Sequence, residues 1–196
     1  MRTLAPSSGT KHRSPRTDIA LAIARAVTLA VATGLVAALA KRYLDFHLGI
    51  PGHAGVGWIA VLVSGRLING RAGMATVAGL AMGLWGVPVG LGHSLAYNMM
   101  LYGMAGALLD SGTMMRLPLH RAWGAGLAGI IVHIAKFGVV IGHAWASGIL
   151  RRVEIYGFLD ALGNHIGFGA LGGVLGWALW RAGPILRSRL TAVVRR

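Results

Sequence analysis

Apolar residues in this chain come in long uninterrupted runs, with polar residues gathered at the ends of the runs rather than alternating within them. The clearest run is Ala122 to His143, AWGAGLAGIIVHIAKFGVVIGH. It is long enough to cross a bilayer as a helix, since ~20 apolar residues span the hydrocarbon core. Five more runs are predicted as helices: 18–40, 54–68, 73–86, 92–109 and 158–180. Asp18 is placed to N-cap the first. The breaks between them are the connector Lys41 to Gly57, an Asn69-Gly70 turn, Gly86-Val87-Pro88-Val89-Gly90, Asp110-Ser111-Gly112 with a basic loop, and the polar stretch Ala144 to Tyr156. The pattern predicts an all-α integral membrane bundle of about six transmembrane helices. A disordered basic tail occupies 1–17, the helical domain 18–181, and a second basic tail 182–196.

Composition narrows this. The chain is 55% hydrophobic and only 12% charged, about half the charged fraction of an ordinary soluble domain. The alternation of a membrane β-barrel is absent. Its 31 glycines suit close packing of membrane helices. The net charge of +14 does not point to nucleic acid, because the cations flank apolar runs and form no interleaved basic patch. With no cysteine, disulfides, thiolate catalysis and Cys-ligated metals are excluded. The polar, basic N-terminus does not read as a signal peptide, since the apolar run after it is too long for an h-region.

Charge then sets the orientation. With both termini cytoplasmic, the inner side carries Arg2, Lys11, Arg13, Arg16, Arg66, Arg71, Arg116, Arg121 and the C-terminal arginines. The outer side carries only Lys41, Arg42, Arg151 and Arg152. The chain is accordingly expected in a cell membrane as a multi-pass protein, of the bacterial inner-membrane kind. This orientation collects the polar residues in one outer layer. Asp45 and His53 lie on the first connector, Trp58 opens the second helix, and His93, Tyr97 and Asn98 open the fourth. His133, Lys136 and His143 lie in the outer half of the fifth, with Asp160, Asn164 and His165 at the start of the sixth. Polar groups inside a bilayer must find partners, so the layer is expected to line a shared outward-opening cavity. Lys136 would meet an anionic group there, and Trp58 and Tyr97 would stack on a ring. The competing account is that a lysine snorkels and that histidines and aromatics sit at the interface because the headgroup region tolerates them. Imidazoles are also good ligands for nickel, cobalt, copper or zinc, but no tight His-x-x-x-His pair occurs, and neither a resident metal nor any other cofactor is expected.

The first helix carries a ridge of small residues at every fourth position, Ala22, Ala26, Ala30, Gly34 and Ala38, which predicts close approach to another helix, internal or on a partner. The size, the helix count, the connector after the first helix and this ridge together resemble the substrate-binding S component of an energy-coupling factor transporter. That resemblance implies a vitamin-like or other micronutrient ligand bound in an outer cavity closed by residues 44–56. It implies that Ala22, Ala26, Ala30 and Gly34 dock on a transmembrane coupling subunit, with ATPase subunits beyond it, and that the chain is not an enzyme. The nickel and cobalt members of that family carry a metal-binding histidine at the extreme N-terminus, where this chain reads Met1-Arg2-Thr3-Leu4. Asn164-His165-Ile166-Gly167-Phe168-Gly169 faintly resembles the catalytic-histidine helix of rhomboid intramembrane proteases. None of Ser64-Gly65, Ser111-Gly112 and Ser147-Gly148 has the glycine two residues earlier that the nucleophile motif requires. A solitary secondary carrier and a purely structural membrane protein also remain open, although no duplicated half supports the former.

Overall fold

A computed structural model of the chain describes residues 15–44, 50–147 and 155–194, with side chains described throughout except at 15, 114, 155, 156 and 185–194. Among these residues the chain is all-α. The six helices are α1 Pro15–Tyr43, α2 Val56–Asn69, α3 Met74–Gly86, α4 Leu95–Met114, α5 Ala122–Ala146 and α6 Ile155–Val194. A 3-10 turn, His53–Gly55, leads into α2. Two of the helices, over Arg16–Tyr43 and Ala122–Ala146, are long and apolar enough to cross a membrane.

Most differences from the expected bounds have local causes. α1 continues to Tyr43 because Lys41 and Arg42 in its last turn face the negative end of the helix dipole. α4 starts at Leu95 rather than Gly92, since Ser94 is extended and its hydroxyl accepts from the Tyr97 N–H at 3.3 Å. It also runs through Asp110-Ser111-Gly112, which was expected to end it. The Asp110 side chain is held by other helices and does not fold back on its own backbone. The tail expected from 182 is helical as far as Val194, and α6 passes through Pro184.

The helices pack as a chain of neighbours: α1 on α2 and α3, α3 on α4, α2 on α6, α5 on α6. Glycine makes two of these seams possible. A Cβ on Gly79 would strike the Tyr102 carbonyl of α4, and one on Gly129 would strike the Gly169 carbonyl of α6. The core inside is built on Trp58, Ile59, Leu62, Met82, Leu101, Tyr102, Leu109 and Val132. The small-residue ridge of α1 belongs to this interior. Ala26, Ala30 and Ala38 are buried, Ala22 is half-buried, and a Cβ on Gly34 would meet Ala78 and Ala81 of α3. Of the expected docking face, Ala26, Ala30 and Gly34 are thus turned into the chain's own bundle, while Ala22 is half-buried. The other side of α1 is open and apolar, with Ile23, Val27, Val31 and Val36 exposed. Leu84 on α3, Ile131 on α5 and Leu171 on α6 are exposed likewise.

At the end of the bundle marked by the α2–α3 turn, Arg66 Nε pairs with Asp110 Oδ1 at 2.9 Å, both nearly buried. The Arg66 guanidinium also donates to Thr113 Oγ1 at 2.9 Å. Asp110 Oδ2 accepts from the Thr76 N–H at 2.9 Å and from its hydroxyl at 2.8 Å. Thr76 is the third residue of α3, so a carboxylate from α4 caps α3. This network ties α2, α3 and α4 together.

Candidate functional site

The α5–α6 seam decides what the histidines do. Because Gly129 on α5 meets Gly169 and Gly173 on α6 backbone to backbone, the helices come close enough for side chains one turn further on to touch. His133 and His165 lie with ring centroids 4.6 Å apart. His133 Nδ1–H donates to the His165 carbonyl at 3.0 Å, and His165 Nδ1–H donates to the Ala161 carbonyl at 2.7 Å. A carbonyl can only accept, so both rings spend Nδ1 on the backbone and keep Nε2 for another partner. Phe137, one turn on from His133, stacks on His165 at 4.3 Å.

Around this pair stand residues of α2, α4 and α5. Trp58 of α2 is fully buried, edge-on to His133 at 6.4 Å and to Tyr102 of α4 at 5.4 Å. Lys136 Nζ stands over the Trp58 ring, 5.5 Å from its centroid. An ammonium on an indole face is a favourable cation–π contact. Asn98 precedes Tyr102 by one turn on α4 and is fully buried. Its amide donates to the His93 carbonyl at 3.2 Å. Trp58 Nε1 and Asn98 Oδ1 are enclosed and meet no hydrogen-bond partner among the described residues.

The residues just before α2 press onto this layer. Gly52 has φ +90°, which favours glycine, and a Cβ there would sit 3.2 Å from the His165 ring. A Cβ on Gly55 would strike the His133 imidazole. The end of the α1–α2 connector thus caps both histidines with bare backbone.

The remaining expected site residues separate into other places. His93, Tyr97 and His143 form a surface aromatic stack, with centroids 4.9 Å and 5.3 Å apart. His143 is directed to Tyr97 and not to the His133 pair, although sequence spacing put both on one stripe. Asn164 donates to Asp160 on its own helix at 3.4 Å. His53 bonds the Ile50 carbonyl through Nδ1 and meets Phe168 edge-on at 6.4 Å, beside the layer. Asp45 lies outside the described residues. Tyr102, Phe137 and Phe168 were not singled out from the sequence. Each follows an expected site residue by three or four positions, which is the signal that would have found them.

No group of three or more His, Asp or Glu side chains is gathered among the described residues. The hydroxyls of Ser64, Ser111 and Ser147 each donate to a backbone carbonyl of their own helix, at 3.0, 2.8 and 2.8 Å. No protein-family model, curated protein or solved structure matches this chain.

Proposed function

We propose that this chain is a multi-pass membrane protein whose six helices hold a small polar ligand with an anionic group. The ligand site is the layer formed by Trp58, Asn98, His133, Lys136 and His165, and it opens outward when the Gly52–Gly55 stretch lifts off the histidines. The observation that carries the proposal is the enclosed, unpartnered Nε1 of Trp58, the ring over which the Lys136 ammonium stands, with a second enclosed and unpartnered atom, Asn98 Oδ1, on α4. Leaving a buried donor or acceptor unmade costs ~1–3 kcal/mol each. A ligand whose acceptor meets the Trp58 indole N–H recovers that cost, and an anionic group near Lys136 adds a charge-assisted bond. The Nε2 atoms of the two histidines supply further contacts.

Membrane insertion is supported by the two spanning-length helices and by large apolar side chains exposed on α1, α3, α5 and α6. Such a surface would be an aggregation hazard in water and is at home in lipid. The short helices α2 and α3 cross as part of the bundle. In this reading the ligand is taken up together with a coupling subunit and an ATPase module, in the manner of an S component. With Ala26, Ala30 and Gly34 buried, that subunit docks elsewhere.

The test is calorimetric titration of whatever copurifies with the protein, identified first by mass spectrometry. Lys136→Met keeps the length and removes the charge. It should weaken binding by ~2–5 kcal/mol, the cost of stranding one partner of a desolvated pair. His133→Phe should weaken it less and should release no transition metal. Unchanged affinity in both variants would end the proposal.

A further inference from the structure

Glycine contacts sort the six helices into two groups of three. In the first group, a Cβ on Gly34 of α1 would strike the Ala78 carbonyl of α3. One on Gly79 of α3 would strike the Tyr102 carbonyl of α4, and one on Gly106 of α4 the Ala75 carbonyl of α3. In the second group, a Cβ on Gly129 of α5 would strike the Gly169 carbonyl of α6, and one on Gly173 of α6 the Ala125 carbonyl of α5. Gly176 of α6 stands in the same relation to the Ala60 carbonyl of α2. Within α1–α3–α4 and within α2–α5–α6, backbone therefore lies on backbone, and such seams tolerate little rearrangement. Between the groups, Gly57 and Gly65 of α2 meet side chains instead, those of Leu44 and Thr33.

The other contacts that cross between the groups differ at the two ends of the bundle. At one end, Arg66 of α2 enters a socket already held together on the first group. There Asp110 of α4 accepts from Thr76 of α3, and the Thr113 hydroxyl donates to the Asp110 carbonyl at 2.6 Å. Arg66 meets Asp110 and Thr113 at 2.9 Å each. Three residues on, the Asn69 amide donates to the Ala26 carbonyl of α1 at 2.8 Å. At the opposite end the crossing contacts are aromatic. Trp58 of α2 is edge-on to Tyr102 of α4, and Tyr97 of α4 lies on His143 of α5 at 5.3 Å. An aromatic contact can part and re-form on another ring edge without stranding a charge. Parting Arg66 from Asp110 strands two charges in an apolar interior. The two groups are thus fastened firmly at the Arg66 end and loosely at the Trp58 end.

We infer that the protein opens by a tilt of α1–α3–α4 against α2–α5–α6, pivoting at Arg66 and Asn69 and parting where Trp58 meets Tyr102 and Tyr97 meets His143. Trp58 is a member of the ligand layer, so the tilt moves one wall of that layer away from it. The purpose of the movement rests on the ligand reading above; the movement itself does not.

The chain has no cysteine, so pairs of cysteine-linked spin labels carry no background. The full chain is placed in nanodiscs of phosphatidylcholine, and distances are read by double electron–electron resonance from exposed positions. Leu95 with Leu159 spans the two groups at the Trp58 end, and Ser111 with Leu179 spans them at the Arg66 end. Val36 with Ser111, and Leu127 with Leu159, each lie within one group. Tyr97→Ala removes an aromatic contact at the surface and should lengthen the 95–159 distance by ~5 Å, the scale of a one-turn helix shift. The other three distances should not change. His143→Ala breaks the same contact from α5 and should act alike. Arg66→Met combined with Asp110→Asn should broaden the 111–179 distribution and again leave the pairs within each group narrow. Unchanged 95–159 distances in both Tyr97→Ala and His143→Ala would overturn the inference. So would equal broadening within the groups. The distances are read without a ligand, so a failed Lys136→Met titration leaves this inference standing, while unmoved distances sink it alone.

Discussion

Arg66 and Asp110 show how much one pair of side chains decides. An ion pair buried in an apolar bundle is stabilising only while both partners are present. Arg66→Met strands the Asp110 carboxylate and should lower stability by ~3–5 kcal/mol, read as an earlier unfolding transition in detergent. Adding Asp110→Asn should recover part of the loss, because the amide oxygen still accepts from Thr76 while the buried charge is gone. A double variant no better than Arg66→Met would refute that account. Trp58 makes a different prediction. Its indole N–H is enclosed without a partner, so Trp58→Phe removes a buried donor but leaves a cavity where the indole was packed. The ligand-free protein should be only modestly less stable, by thermal unfolding, and ligand retention should fall. Reduced stability with full retention would mean that Trp58 is only packing. These roles were partly legible beforehand. Depth in the bundle follows from counting along each run, which put Trp58, Asn98, His133, Lys136 and His165 in one layer. The direction of a side chain around its helix depends on which neighbour lies there. That is why His143 and Asn164 turn out to face Tyr97 and Asp160, and why the Arg66–Asp110 pair, 44 positions apart in the chain, escaped notice.

For whole elements, the periodicity of small residues marks where helices come close but not whose helices they are. α1 has two such rows. One, through Ala26, Ala30 and Gly34, is buried on α3. The other, through Ala24, Thr28 and Ala32, is exposed. Ala30→Trp should prevent folding, seen as loss of a monodisperse peak in size-exclusion chromatography. Ala24→Trp should leave that peak intact. Equal behaviour of the two would contradict the packing of α1. The seam between α5 and α6 predicts a subtler failure. Gly129→Leu pushes a side chain into the Gly169 backbone, so the helices must separate and the His133–His165 contact must break. That variant should express and insert, yet lose ligand binding even though the substitution lies a full turn away from the nearest histidine. Helix ends were less legible than helix existence. Ser94 displaces the start of α4 through one hydroxyl, and α4 passes Gly112 because Asp110 is engaged across the bundle.

At the scale of the molecule, the six apolar runs were legible as six helices because burying long apolar stretches requires backbone satisfied within each segment. Their arrangement was not, since membrane helices pack through shape and not through any code along the chain. The orientation is the prediction that belongs here. Cysteines replacing Ser7 and Ser147 should be labelled from opposite sides of the membrane by an impermeant maleimide, Ser147 from outside. Labelling from the same side would reverse the charge argument and remove the outward-facing site. One feature of the closed layer has a bearing on how such a protein diversifies. The segment capping the two imidazoles touches them through Gly52 and Gly55, where no side chain fits. A cover made of bare backbone is blind to the identity of what it covers. On the proposed function, discrimination among ligands would fall to α2, α4, α5 and α6, and relatives tuned to different compounds should vary at 58, 98, 133, 136 and 165 while keeping glycine at 52 and 55. The closure would then be inherited unchanged while the cargo is renegotiated.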